Sequence, residues 1–158
     1  MNQSIGHQPW FAPSQKVLTG HANGVITLNI AEDDVVTAVR DLTGGYGADV
    51  YLEGSGHPSA VAQGLQLLRK LGTYVEYSVF GSDVTVDWSI ISDDKELDVL
   101  GAHLGPHCWP AAGQMLESGR LPLEEIVTHQ LPLSEFQQGL DLVGDGSASI
   151  KVSLLPGG

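Results

Sequence analysis

"GADVYLEGSGHPSAV", residues 47–61, decides the fold. The apolar run from Ala48 to Glu53 reads as a strand closed by Gly54. Pro58 suits the first turn of a following helix, where its missing N–H costs nothing. Gly54-Ser55-Gly56 sits between the two, where a dinucleotide-binding glycine turn would stand. Such a turn needs small residues at three places: for the tight turn, for backbone approach to the pyrophosphate, and for helix-on-strand packing. Here the series is Gly54, Gly56 and Ser59, and its last member is not glycine. An acidic residue should follow about 20 residues on, at the end of the next strand. Glu76 has roughly that spacing but lies inside "YVEYSVF". By spacing alone an ordinary strand-to-helix turn is favoured over the fingerprint.

Working outward, "AEDDVVTAVRDLTGG" (31–45) reads as a helix. Glu32, Asp33 and Asp34 crowd its first turn, where the helix dipole favours anions. Val35, Val36, Val39 and Leu42 share one face, and Gly44 and Gly45 supply the stop. A short β-branched strand is expected before it, at residues 25–28. Residues 1–16 are polar, carry Pro9 and Pro13, and read as a loose extension. Downstream, "AVAQGLQLLRKLG" (60–72) continues the second helix, with Val61, Leu65, Leu68 and Leu71 on one face and Gly72 at its end.

"TYVEYSVF" (73–80) and "ELDVLGAHLG" (96–105) are further strands. "WPAAGQMLESG" (109–119) is a helix opened by Pro110 and closed by Gly119. "IVTHQLPL" (126–133) is extended. Ser134 and Gln137 form a capping box for a helix carrying Phe136, Leu140 and Val143. "GDGS" (144–147) turns, and "SIKVSLL" (149–155) is a last strand. Alternating strands and helices imply an α/β fold of parallel strands joined by helical crossovers.

The composition agrees with a folded domain. Of 158 residues, 42% are hydrophobic and 16% charged, which suits a globular core. Seven basic against nineteen acidic residues give a net charge of −12. That argues against nucleic acid or an anionic membrane as a partner through a basic face. Cys108 is the only cysteine, so no disulfide can form within the chain. The N-terminus has no apolar core of secretory type, and no run approaches the roughly 18 apolar residues of a membrane span. A cytoplasmic location is expected.

Other chemical candidates are weak. His103, His107 and Cys108 are the one metal-like cluster. Gly105-Pro106 breaks any helix that would align the two histidines, and zinc wants three or four convergent ligands. No metal site is expected. Asp93, Asp94, Glu96 and Asp98 read as a solvated connector. His107 and Cys108 are adjacent, which points them apart and disfavours a nucleophile–base pair. There is no Gly-x-Ser-x-Gly and no Walker-type Gly-Lys-Ser/Thr.

Read in order, the segments resemble a known family. "GADVYLEGSG" (47–56), "LESGRLPLEEIVTH" (116–129) and "GSASIKV" (146–152) carry most of the likeness, which runs from about residue 25 to residue 156. They resemble the zinc-dependent medium-chain alcohol dehydrogenases, nearest the polyol (sorbitol-like) and threonine dehydrogenase branch. The resemblance implies an incomplete Rossmann-type sheet holding only the later strands, over residues 17–125. Residues 126–158 would be the segment that returns to the family's catalytic domain. That domain, with its zinc ligands, and the first strand with its glycine fingerprint fall outside the likeness. The resemblance thus implies an oxidoreductase fragment, inactive alone, that binds NAD(P) weakly or not at all and holds no zinc.

The resemblance moves "LEGSG" to the end of the family's fourth strand, beside the cofactor. It carries over Gly54, Ser55 and Gly56 as cofactor contacts, with Tyr77, Ser78 and Val79 at the next strand end. Ala102, His103 and Leu104 would face the nicotinamide amide, and Lys151 the pyrophosphate. The family often has glycine where Ser78 stands. Members dimerise by pairing edge strands near the stretch from Leu97 to Leu104, which implies a homo-oligomer or pairing with a full-length relative. Without its neighbouring strands the sheet would have an exposed edge at residues 50–52, and marginal stability is expected.

Overall fold

The computed structural model describes residues 26–119, 126–145 and 147–157. The extension at residues 1–16 and Val25 lie outside them. The described residues fall into two compact units. One is Leu28–Pro106; the other takes in Ile26, Thr27 and the residues from His107 onward. No helix among the described residues is long and apolar enough to cross a membrane.

In the first unit, α1 (Val35–Leu42) leads into β1 (Ala48–Glu53), and α2 (Pro58–Leu67) crosses over to β2 (Leu68–Glu76). A 3₁₀ turn at Trp88–Ile90 precedes β3 (Asp98–Gly101). The three strands are parallel in the order β1-β2-β3, as the alternating pattern requires. Leu65, Leu68 and Tyr74 form the buried core, with Tyr51, Val61 and Leu97 packed against it. The other face of β1 is open, and Val50 and Leu52 are exposed on it.

Several boundaries differ from the sequence reading. Residues 26–28 are not a strand. Glu32 and Asp33 precede α1 instead of filling its first turn. Asp34 is the N-cap, and its carboxylate accepts the Thr37 N–H at 3.1 Å. A short carboxylate satisfies an orphan N–H better from the cap than from inside the helix.

α2 stops at Leu67, five residues before Gly72. Lys95 is the cause: its Nζ donates to the carbonyl oxygens of Leu65, Gln66 and Leu68 at 2.7, 2.9 and 2.6 Å. These carbonyls have no intrahelical partner at a C-terminus, and a cation there also meets the negative end of the dipole. Leu68 then begins β2, only 2% exposed. Ala48 pairs with Leu68 but Val50 pairs with Thr73, so residues 69–72 bulge out of the ladder. Leu71, at φ 58°, sits exposed on that bulge. β2 ends at Glu76 instead of continuing to Phe80, because the Glu76 carboxylate captures the Ser78 N–H and turns the chain.

The second unit holds α3 (Trp109–Glu117), β4 (Val127–Pro132), α4 (Phe136–Asp145) and β5 (Lys151–Leu155). β4 and β5 pair in parallel. The capping box does not form. Residues Leu133–Glu135 make a 3₁₀ turn before α4, and the Gln137 amide donates to Asp141 at 3.1 Å instead.

Candidate functional site

Glu53, Glu76 and Gly101 are partners across the ladder, so the three parallel strands end level. In open α/β sheets ligands bind beyond the carboxyl ends of the strands. The loops there are Gly54-Ser55-Gly56, Tyr77-Ser78-Val79 and Ala102-His103-Leu104.

The first two loops are built alike. Glu53 is 1% exposed. Its Oε1 accepts the Ser55 N–H at 2.9 Å and the Ser55 hydroxyl at 2.5 Å, and its Oε2 accepts the Gly56 N–H at 3.1 Å. Glu76 Oε1 accepts the Ser78 N–H at 2.8 Å and the Ser78 hydroxyl at 2.5 Å, and Tyr74 donates to Oε2 at 3.3 Å. Burial pushes the Glu53 carboxyl up. Hydrogen bonds from Ser55, Ser78 and the Gly56 amide outweigh it and hold the group below its ordinary value. Tyr51 lies under this pair, its hydroxyl donating to the Ala60 carbonyl at 3.1 Å. Burial, then the charges of Glu53 and Glu76, push its phenol up to about 12.

The two loops also pack on each other. Gly56 has φ +69°, and a Cβ there would run into the Val79 carbonyl oxygen. A Cβ on Gly54 would strike the Tyr77 phenol. Gly54, Ser55, Gly56, Tyr77, Ser78 and Val79 therefore come together as one surface. The Ala102 N–H donates to the Glu76 carbonyl at 2.8 Å and ties the third loop to the same edge. His103 and Leu104 follow, both exposed. Lys151 opens β5 in the second unit. His103 belongs to the first unit and His107 and Cys108 to the second. Among the described residues no three His, Cys, Asp or Glu side chains gather to hold a metal. The described residues therefore offer no zinc ligand set.

Glu53 was not legible as a site residue, and Glu76 was legible only through its spacing from Gly54 and Gly56. Their signal is a repeated Glu-x-Ser, at 53–55 and 76–78, seen only once both are known to be strand ends. Their effect on a ligand is definite. The Ser55, Gly56 and Ser78 amides are occupied by carboxylates and cannot cradle a phosphate. Adjacent carboxylates repel a pyrophosphate. Their charge favours a cation over a phosphate at this edge, and the positively charged ring of an oxidised nicotinamide meets that requirement.

Comparison with known proteins identifies the family. The profile of the zinc-binding dehydrogenases matches residues 18–118. The chain is 70% identical over 145 residues to an erythritol/L-threitol dehydrogenase of Mycolicibacterium smegmatis, covering 92% of this chain and 40% of that protein. It is 38% identical to an L-threonine 3-dehydrogenase of Bacillus velezensis, covering 83% of this chain and 38% of that one. An alcohol dehydrogenase from Thermotoga maritima superposes with a TM-score of 0.74 at 28% identity, over 92% of this chain and 42% of its own. The 2R,3R-butanediol dehydrogenase of Bacillus subtilis shares the fold, with a TM-score of 0.78 at 23% identity. The chain thus spans about 40% of the length of the curated relatives it matches, and its parallel sheet is a partial Rossmann-type domain. It belongs to the zinc-binding dehydrogenases, the family of zinc-dependent medium-chain alcohol dehydrogenases.

Proposed function

We propose that this chain forms the nicotinamide-side part of an NAD(P)-dependent polyol dehydrogenase acting on a short polyol of the erythritol or L-threitol type. The observation that carries the cofactor half is the level edge at Glu53, Glu76 and Gly101, with Gly54 and Gly56 bringing backbone close to it. The substrate class rests on the 70% identity to the erythritol/L-threitol dehydrogenase. In this reading residues 17–125 are the nucleotide-binding part and 126–158 the return segment, in a cytoplasmic enzyme. Gly54, Ser55 and Gly56 line the ribose, Tyr77 to Val79 flank it, and Ala102 to Leu104 face the amide. The chemistry supplied by the bound cofactor is hydride acceptance from a secondary alcohol. The chain's own part is to orient the ring and keep the phosphates off the carboxylates.

Fluorescence titration of the 158-residue chain with reduced cofactor tests this. Weak, saturable binding is expected, abolished by Gly56→Val, with no turnover of erythritol by this polypeptide alone. Absence of saturation into the millimolar range removes the cofactor role, and turnover removes the inactivity. A second reading, an association module, is favoured by one feature. β3 is an edge strand whose Val99 and Leu100 are exposed, within the stretch from Leu97 to Leu104. Light scattering that finds only monomer at high concentration excludes it.

A further inference from the structure

Arg40, Arg69, Lys70 and Lys95 line one cavity of about 280 Å³ in the first unit. Gly47, just before β1, and Leu68, the first residue of β2, also border it. It therefore opens at the amino ends of the strands. The six residues of β1, at ~3.3 Å each, put it roughly 20 Å from the Glu53 edge. It is not the dinucleotide site of the reading above and stands independently of it.

Four of the chain's seven basic residues meet here, on a chain of net charge −12. Two have structural duties. Lys95 spends its ammonium protons on the carbonyls at the end of α2. Arg69 pairs with Asp49 at 2.6 Å and donates to the Lys70 and Leu71 carbonyls. The side chains of Arg40 and Lys70 have no hydrogen-bond or ion-pair partner among the described residues. Asp94 is the only carboxylate among the lining residues. Like charges crowd in this cavity: burial, then the Arg40 guanidinium, holds the Lys95 ammonium below its ordinary value. A concave, partly apolar wall focuses such a field. The volume exceeds the ~30 Å³ of a water molecule several times over, which leaves room for a tetrahedral anion.

We propose that this cavity binds a small multivalent oxyanion of the phosphate class, held by Arg40 and Lys70, with Arg69 and Lys95 supplying the field behind them. The phosphate is either free or the end group of a phosphorylated metabolite. Both present the same tetrahedral oxygens to a guanidinium and an ammonium.

Calorimetric titration of the full chain at constant ionic strength tests this, with inorganic phosphate in one arm and glycerol phosphate in the other. Saturable binding is expected. The R40Q/K70Q double variant should weaken it by about tenfold or more, the scale of losing charge-assisted hydrogen bonds. Arg40→Lys and Lys70→Arg, which keep the charge, should retain most of the affinity. Tighter binding of glycerol phosphate marks a metabolite's phosphate, and tighter binding of inorganic phosphate marks the free ion. Unsaturable heats in both arms overturn the proposal. So does unchanged affinity in a double variant whose circular dichroism and melting match the parent.

Discussion

Gly56 combines φ +69° with a neighbouring carbonyl oxygen where a Cβ would go. Gly56→Ala should therefore cost about 2 kcal/mol or more, from left-handed strain plus displacement of Val79. Gly54→Ala meets only the exposed Tyr77 ring, which can swing away, so its cost should stay below ~1 kcal/mol. Urea denaturation of the two variants measures the difference. Glu53 supplies a pH signature. Its folded carboxyl titrates below its ordinary value. The stability it contributes is present at neutral pH and is lost as pH falls through the ordinary value of ~4.3 and then through the folded one. Glu53→Gln should be less stable by about 1–3 kcal/mol at pH 7 and lose less than the parent on acidification. Equal slopes of stability against pH for the two proteins would contradict this. Both glycines were legible from spacing as a strand-end turn. The carboxylates that consume the turn's amides were not, because a glutamate's partners depend on which loop it ends.

α2 shows what local pattern can and cannot reach. "GLQLLRKLG" keeps helical spacing through Leu71, yet the helix ends at Leu67. The end is imposed by a lysine 30 residues away from Leu65, with Leu68 turned into the core between Leu65 and Tyr74. Burying a leucine contributes about 1.5–3 kcal/mol, more than the few tenths gained by one more helical residue. Lys95→Met should cost about 1–3 kcal/mol, since three carbonyls lose their donor. Hydrogen exchange should show the amides of residues 66–70 opening with it. Loss of stability without that local change would mean the lysine acts elsewhere. α1, by contrast, was legible in its apolar face and its glycine stop, which are local signals, while its start was read about four residues early because Asp34 caps the helix instead of sitting inside it.

Over the whole chain, burial is uneven. The buried apolar residues among those described are Ala60, Leu65, Leu67, Leu68 and Tyr74, all in the first unit. The second unit buries Gly139 and Ser149 there, while Phe136, Leu140 and Leu155 stay exposed. Protection should follow that division: β2, paired on both sides, should exchange slowest, and β4 and β5 much faster. Uniform protection across both sheets would show one cooperative unit instead. Parallel α/β order and the strand-end place of Gly54 and Gly56 follow from the chain's own order of apolar runs, glycines and prolines. Periodicity and turn chemistry act within a few residues, so they can be read without coordinates. Where α2 stops, the shared edge of Glu53 with Glu76, and the meeting of Arg40, Arg69, Lys70 and Lys95 around one cavity depended on folding. Each joins residues distant in sequence, and charge and hydrogen bonding there are settled by distances that only the packed chain defines.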